Sequence, residues 1–230
     1  PSRARKTVTA KNGAELSDTT SPLGGTAVFL DGIDDYLEII TQSDFGFATG
    51  DFSIEGWFRL GTTVTTEVTL FDLRAGSAAD GAGLHCYATA TQNLVLAIGS
   101  TDILTPANIL TLGTWYHIAV SRVNGIIRLF LNGNSISSSS NSTNLGTTKP
   151  MKIGSNYTGI PTGALRIDDF RVRKGSGYGG NFSTPSSSPI VTNTTVLMLR
   201  FDGENGSTII LDDNVFVQDI RFSGGDTAKK

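Results

Sequence analysis

Three carboxylates fall close together in the run Asp31-Gly32-Ile33-Asp34-Asp35. Hard oxygen donors suit Ca²⁺, which takes roughly six to eight of them. The same residues suit a plain turn, because Asp side chains bond their own following backbone. No D-x-D-x-D-G loop is present, so both readings stand. A second set sits on segments of period two. Across residues 52–58, Phe52, Ile54 and Phe58 share one face, while Ser53, Glu55 and Trp57 share the other. In Leu84–Ala88 the apolar Leu84, Cys86 and Ala88 alternate with His85 and Tyr87. If the apolar faces are core, then Glu55, Trp57, His85 and Tyr87 point outward. Aromatic rings that cover the apolar face of a sugar, beside a carboxylate that accepts hydroxyls, would bind glycan. The competing reading folds loops over Trp57, since large aromatics are usually well buried.

Catalysis finds little support. Glycoside hydrolysis needs a positioned pair of carboxylates, and the five Glu residues are scattered. His85 and His117 lack a nearby nucleophile pattern such as G-x-S-x-G. The adjacency of His85 and Cys86 sends the two side chains to opposite faces of a strand, against a Cys–His dyad.

Strands must position these residues. The run from Thr114 to Gly133 predicts two, joined at Asn124–Gly125, with Tyr116, Ile118 and Val120 on one face and His117, Ala119 and Ser121 on the other. Asn-Gly between alternating runs is a strong hairpin signal, because both residues tolerate the positive φ of a type I′ turn. The second strand ends on Asn132–Gly133, so a meander continues. Further strands are expected at 7–12, 26–30, 36–40, 68–73, 94–98, 151–154 and 164–173, and then at 195–202, 207–211 and 215–222. Residues 135–148, nearly all Ser, Thr, Asn and Gly, read as a long surface loop. Short strands at regular spacing, with no helical period, predict an all-β, two-sheet antiparallel sandwich.

The chain has 230 residues, 17% of them charged, with a net charge of −3. That balance supplies no basic field for nucleic acid. The one basic cluster, Arg3-Ala4-Arg5-Lys6, reads as a solvated arm. No run of eighteen apolar residues occurs, so no membrane insertion is expected. The single Cys86 rules out an internal disulfide.

Gly113-Thr114-Trp115-Tyr116-His117-Ile118-Ala119 and Phe130-Leu131-Asn132-Gly133 resemble the central hairpin of laminin-G-like jelly rolls in the concanavalin A-like lectin/glucanase superfamily. Other blocks follow in the order of that family. They are Phe29-Leu30-Asp31-Gly32, Asp34-Asp35-Tyr36-Leu37, residues 52–58, Met151-Lys152-Ile153-Gly154 and Ile167-Asp168-Asp169-Phe170-Arg171-Val172. The resemblance implies a jelly roll over 1–190, with strands at 191–230 completing the same or a neighbouring sandwich. It implies that Asp168 and Asp169 converge on Asp31, Asp34 and Asp35, as in calcium-binding relatives. It also implies a structural hydrogen bond for His117. The E-x-D-x-x-E carboxylates of related glucanases are missing, so a non-enzyme is expected.

The opening T-V-T-A-x-x-G-A and the ending around Ile167 to Pro185 look most like domains of tailed-phage structural proteins. The resemblance therefore implies a virion surface or extracellular protein, a capsid decoration or tail fibre. Its expected partners are capsid or tail proteins, like subunits and cell-surface glycans. The alternative is a secreted bacterial carbohydrate-binding adhesin module.

Overall fold

A computed structural model describes residues 5–18 and 21–214. Arg3 and the strand expected at 215–222 lie outside them. Fifteen strands are described. The first eight are β1 (Thr9–Lys11), β2 (Glu15–Ser17), β3 (Ala27–Leu30), β4 (Tyr36–Gln42), β5 (Phe52–Leu60), β6 (Val68–Asp72), β7 (Leu84–Ala88) and β8 (Leu94–Ile98). Then come β9 (Thr101–Leu104), β10 (Trp115–Val123), β11 (Ile126–Leu131), β12 (Asn134–Ser140), β13 (Lys149–Ile153), β14 (Leu165–Lys174) and β15 (Thr195–Leu199). Among the described residues the one helix is a single 3₁₀ turn at Ser43–Phe45.

Two antiparallel sheets form the sandwich that the strand spacing predicts. One runs β1-β4-β13-β6-β7-β8-β9; the other runs β12-β11-β10-β5-β14-β3-β2, with β15 added against β14. The β10–β11 turn has Asn124 at φ 51° and Gly125 at φ 70°, both positive as a type I′ turn requires. Phe52, Ile54 and Phe58 join Ile118, Val120, Leu84, Cys86, Leu94 and Leu96 in one buried cluster between the sheets. The alternation read from each strand thus selects the core face correctly.

β14 organises the second sheet. Along one edge it pairs with β5; along the other, Leu165–Ile167 pair with β3 and Phe170–Arg173 pair with β15. The change of partner falls at Asp168–Asp169, where the β5 ladder also bulges and Asp169 takes φ 47°. Asp tolerates that left-handed conformation better than most residues. Val196, Leu197, Met198 and Leu199 of β15 are all fully buried.

Three expectations need correction. Residues 134–140 are not loop but the edge strand β12, paired with β11. Serine side chains there stand in solvent while the backbone completes a ladder, so composition alone gave no apolar alternation to read. Residues 207–211 form no regular strand, although the backbone at 206–207 exchanges hydrogen bonds with Leu16 at 2.7 and 2.8 Å. Lys6 is buried, not part of a solvated arm: its ammonium pairs with Asp44 at 2.9 Å, and its backbone N–H donates to Asp212 at 2.8 Å.

Candidate functional site

The four residues expected to form one glycan face are split between the sheets. Glu55 and Trp57 lie on β5 of one sheet, and His85 and Tyr87 on β7 of the other. Glu55 and Trp57 do point away from the core, but Glu55 does not reach solvent and Trp57 does so only in part. The segment 175–189 crosses their face and covers it. Tyr178 and Phe182 stack at 3.7 Å, and Phe182 meets His117 and Phe130 edge-on. The strap is pinned where Phe182 N–H donates to Gly133 O at 2.9 Å, so close that a Cβ on Gly133 would lie 2.0 Å from Phe182 O.

Beneath the strap Glu55 is 1% exposed. Its Oε1 accepts from Arg171 Nε and Nη2 at 3.0 and 2.8 Å, and its Oε2 accepts from the Tyr178 hydroxyl at 2.8 Å. His117 Nε2 stands 3.6 Å from the same carboxylate. Burial pushes the His117 imidazole down to about 4, against the pull of Glu55, so the ring is neutral at pH 7. Trp57 is half-buried, its ring edge-on to His117 at 5.3 Å. This is a sealed polar core, not a platform.

The acidic residues are also divided. Asp31, Asp34 and Asp35 can bring one oxygen each within 4.8 Å of one another. Asp168 and Asp169 do not join that group; they lie at the β14 bulge, where the Ser21 and Ser188 hydroxyls donate to them. Backbone hydrogen bonds occupy two of the three carboxylates. Asp35 Oδ1 and Oδ2 accept from the N–H of Gly13 and Asp31, and Asp31 Oδ1 accepts from Ile33 and Asp34. With two of the three carboxylates so engaged and each of the three offering one oxygen, the trio falls short of the roughly six to eight oxygens that Ca²⁺ takes, and the residues present do not fit a calcium site.

His85 and Tyr87 do reach a cavity. The register lines up Asp72, His85, Ala97 and Asp102 across β6, β7, β8 and β9. Their side chains stand on the outer side of the sheet, opposite Leu84 and Cys86. Ala97 contributes only a methyl to this row and Gly99 nothing, which leaves a hollow of about 210 Å³. Glu67, Arg74, Ser100, Asn156 and Tyr157 complete its lining. His85 stacks on Tyr87 at 4.6 Å, and the Tyr87 hydroxyl donates to Asp102 Oδ1 at 2.9 Å. His85 Nε2 lies 3.2 Å from the Thr69 hydroxyl, and burial with nearby Arg74 holds the ring down at about 3. The Arg74 guanidinium forks onto Asp72 at 2.6 to 3.0 Å and lies 4.8 Å over the Tyr157 ring.

Five of these residues, Glu67, Arg74, Asp102, Asn156 and Tyr157, escape sequence reasoning, because they come from four separate segments. One signal was legible. Asp72 ends β6 and Arg74 follows two residues later, near enough in sequence for a carboxylate and a guanidinium to pair.

A two-sheet antiparallel sandwich with a polar and aromatic hollow on an outer sheet face has the architecture of the lectin-type β-sandwiches. The chain belongs to the concanavalin A-like lectin/glucanase superfamily, whose laminin-G-type model matches residues 31–176. No curated protein matches the chain. Among solved structures, the binding domain of botulinum neurotoxin serotype G superposes with a TM-score of 0.55 at 12% identity, over 77% of this chain and 44% of that one. Botulinum neurotoxin type C, described as interacting with two ganglioside molecules, gives 0.53 at 16% identity over 73% and 42%. The binding domain of botulinum neurotoxin DC, in complex with SialylT, gives 0.54 at 14% identity over 73% and 42%. The chain spans less than half the length of these structures. At such identities the likeness is one of fold.

Proposed function

We propose that this chain is a non-catalytic, lectin-like module that binds glycan in the hollow on the β6–β9 face and serves on a virion surface, as a capsid decoration or tail fibre. The observation that carries the glycan reading is the conjunction of Tyr87, His85 and Tyr157 with Asp102, Glu67 and Asn156 around one small cavity. Aromatic rings that offer apolar faces beside convergent polar groups are the usual make-up of a ligand pocket. Its volume lies below the roughly 300–1,000 Å³ of pockets that enclose drug-sized ligands, which suits a single terminal sugar. The non-catalytic reading is supported by the histidines: His85 is bonded to Thr69, and His117 is sealed beneath the strap. Cys86 faces the core, and burial pushes its thiol up, away from the reactive thiolate.

The virion reading is supported by the resemblance of the opening and closing motifs to tailed-phage structural domains. Its partners would be capsid or tail proteins and like subunits. Two experiments test the pair of statements. A glycan array should show binding that Tyr87→Ala or Tyr157→Ala abolishes in a protein that still folds; binding that survives both would place the site elsewhere. Mass spectrometry of intact particles should find the chain as a stoichiometric component; its secretion as a free bacterial protein would favour the adhesin instead.

A further inference from the structure

On the glycan reading of the hollow, we infer that it takes uncharged or amine-bearing saccharides and turns away acidic ones, those carrying sialic acid, uronic acid or sulfate. Charge placement carries the inference. Glu67 and Asp102 line the cavity, and among the described residues the lining cation is Arg74 alone. That cation is already matched. Its Nε and Nη2 both reach Asp72, its Nη1 donates to Gly99 O at 3.3 Å, and its flat face lies against Tyr157. A bidentate carboxylate–guanidinium pair leaves little charge for a third group. Counting Asp72 with the lining, three carboxylates face one guanidinium, an excess of two negative charges.

His85 cannot make up the difference. It is buried, it bonds Thr69, and Arg74 beside it opposes protonation. Glu67 is half-buried, so a charge on it acts through a less screened medium than at a fully exposed position. An anion placed among these groups would be repelled by the carboxylates of Glu67 and Asp102, the latter holding only the neutral Tyr87 hydroxyl. A neutral sugar instead supplies hydroxyl donors to Asp102 and Glu67 and stacks on Tyr87 and Tyr157. An ammonium on an amino sugar would be favoured further. Like-charge juxtaposition is an ordinary device for rejecting a wrong partner.

The test is an array printed in matched pairs, each neutral oligosaccharide beside its sialylated or uronic-acid counterpart, with an amino-sugar series as a third arm. The expected result is binding to neutral members, equal or tighter binding to amino sugars, and binding at least about tenfold weaker to acidic partners. The isosteric double variant E67Q/D102N should narrow that gap, read as the ratio of neutral to acidic binding; a ratio unchanged in the variant would overturn the inference. Equal or preferred binding of acidic glycans that is still lost on Tyr87→Ala would overturn this inference and leave the glycan site standing. No binding by any arm would overturn both.

Discussion

Arg171 holds Glu55 with two nitrogens, Nε at 3.0 Å and Nη2 at 2.8 Å, and neither residue is open to solvent. The pair joins adjacent strands β14 and β5, which register Arg171 opposite Glu55. Tyr178, from the strap above, completes the carboxylate. A strand residue facing away from the core has thereby become the centre of a second, polar core.

Removing one partner from such a pair strands the other charge. Glu55→Ala is expected to cost about 3–5 kcal/mol of unfolding free energy, read by urea denaturation. Trp57→Ala should leave glycan binding intact, since Trp57 and the hollow lie on different sheets. Loss of glycan binding in a folded Trp57→Ala protein would move the site to the strap face.

Truncation after Thr194 removes β15. The strand buries Val196, Leu197, Met198 and Leu199, followed by Phe201. At about 1.5–3 kcal/mol per fully buried side chain, the upper bound is roughly 8–15 kcal/mol, which matches the whole stability of an ordinary domain. The shortened chain should fail to fold or should aggregate. A truncated protein that keeps its melting temperature would show that the strand is dispensable.

Burial pushes the carboxyls of Asp168 and Asp169 up to about 7 and about 6. The folded state then binds protons more tightly than the unfolded chain. Their contribution is fully present below the ordinary carboxylate value and is lost as pH rises through the folded values. Stability should fall from about pH 4 to about pH 7, by at most about 4 kcal/mol from Asp168. Asp168→Asn should raise the melting temperature at pH 8 and flatten the profile. An unchanged slope in that variant would show that Asp168 titrates normally.

Millimolar Ca²⁺ is expected to move the melting temperature by less than about one degree, and chelator likewise, because a ligand stabilises only by its affinity for the folded state. Asp31 and Asp35 already serve the backbone of their own turn. A rise of several degrees that Asp34→Asn removes would establish a cation there after all.

Local physics made much of this fold legible. Asn124–Gly125 could be placed at a turn because few residue pairs accept two successive positive φ values. Phe52, Ile54 and Phe58 could be assigned to the core because a strand alternates its faces with a period of two. Alternation says which side chains leave the core, but not what they meet. Glu55 and Tyr87 carry the same outward signal. A strap contributed from more than a hundred residues downstream seals the first, while Ala97 and Gly99 leave room above the second. The same holds for Asp31 and Asp168: spacing along the chain brings the first three acids together, whereas only the packing of β14 between β3, β5 and β15 decides that the other two lie apart from them. The core face of an alternating strand is a short-range property of the backbone and was determined by the sequence alone, whereas β12, which has no apolar alternation, was set by its pairing with β11. The cavity, the buried ion pair and the position of β15 depend on contacts between distant segments, and only the tertiary structure decided them.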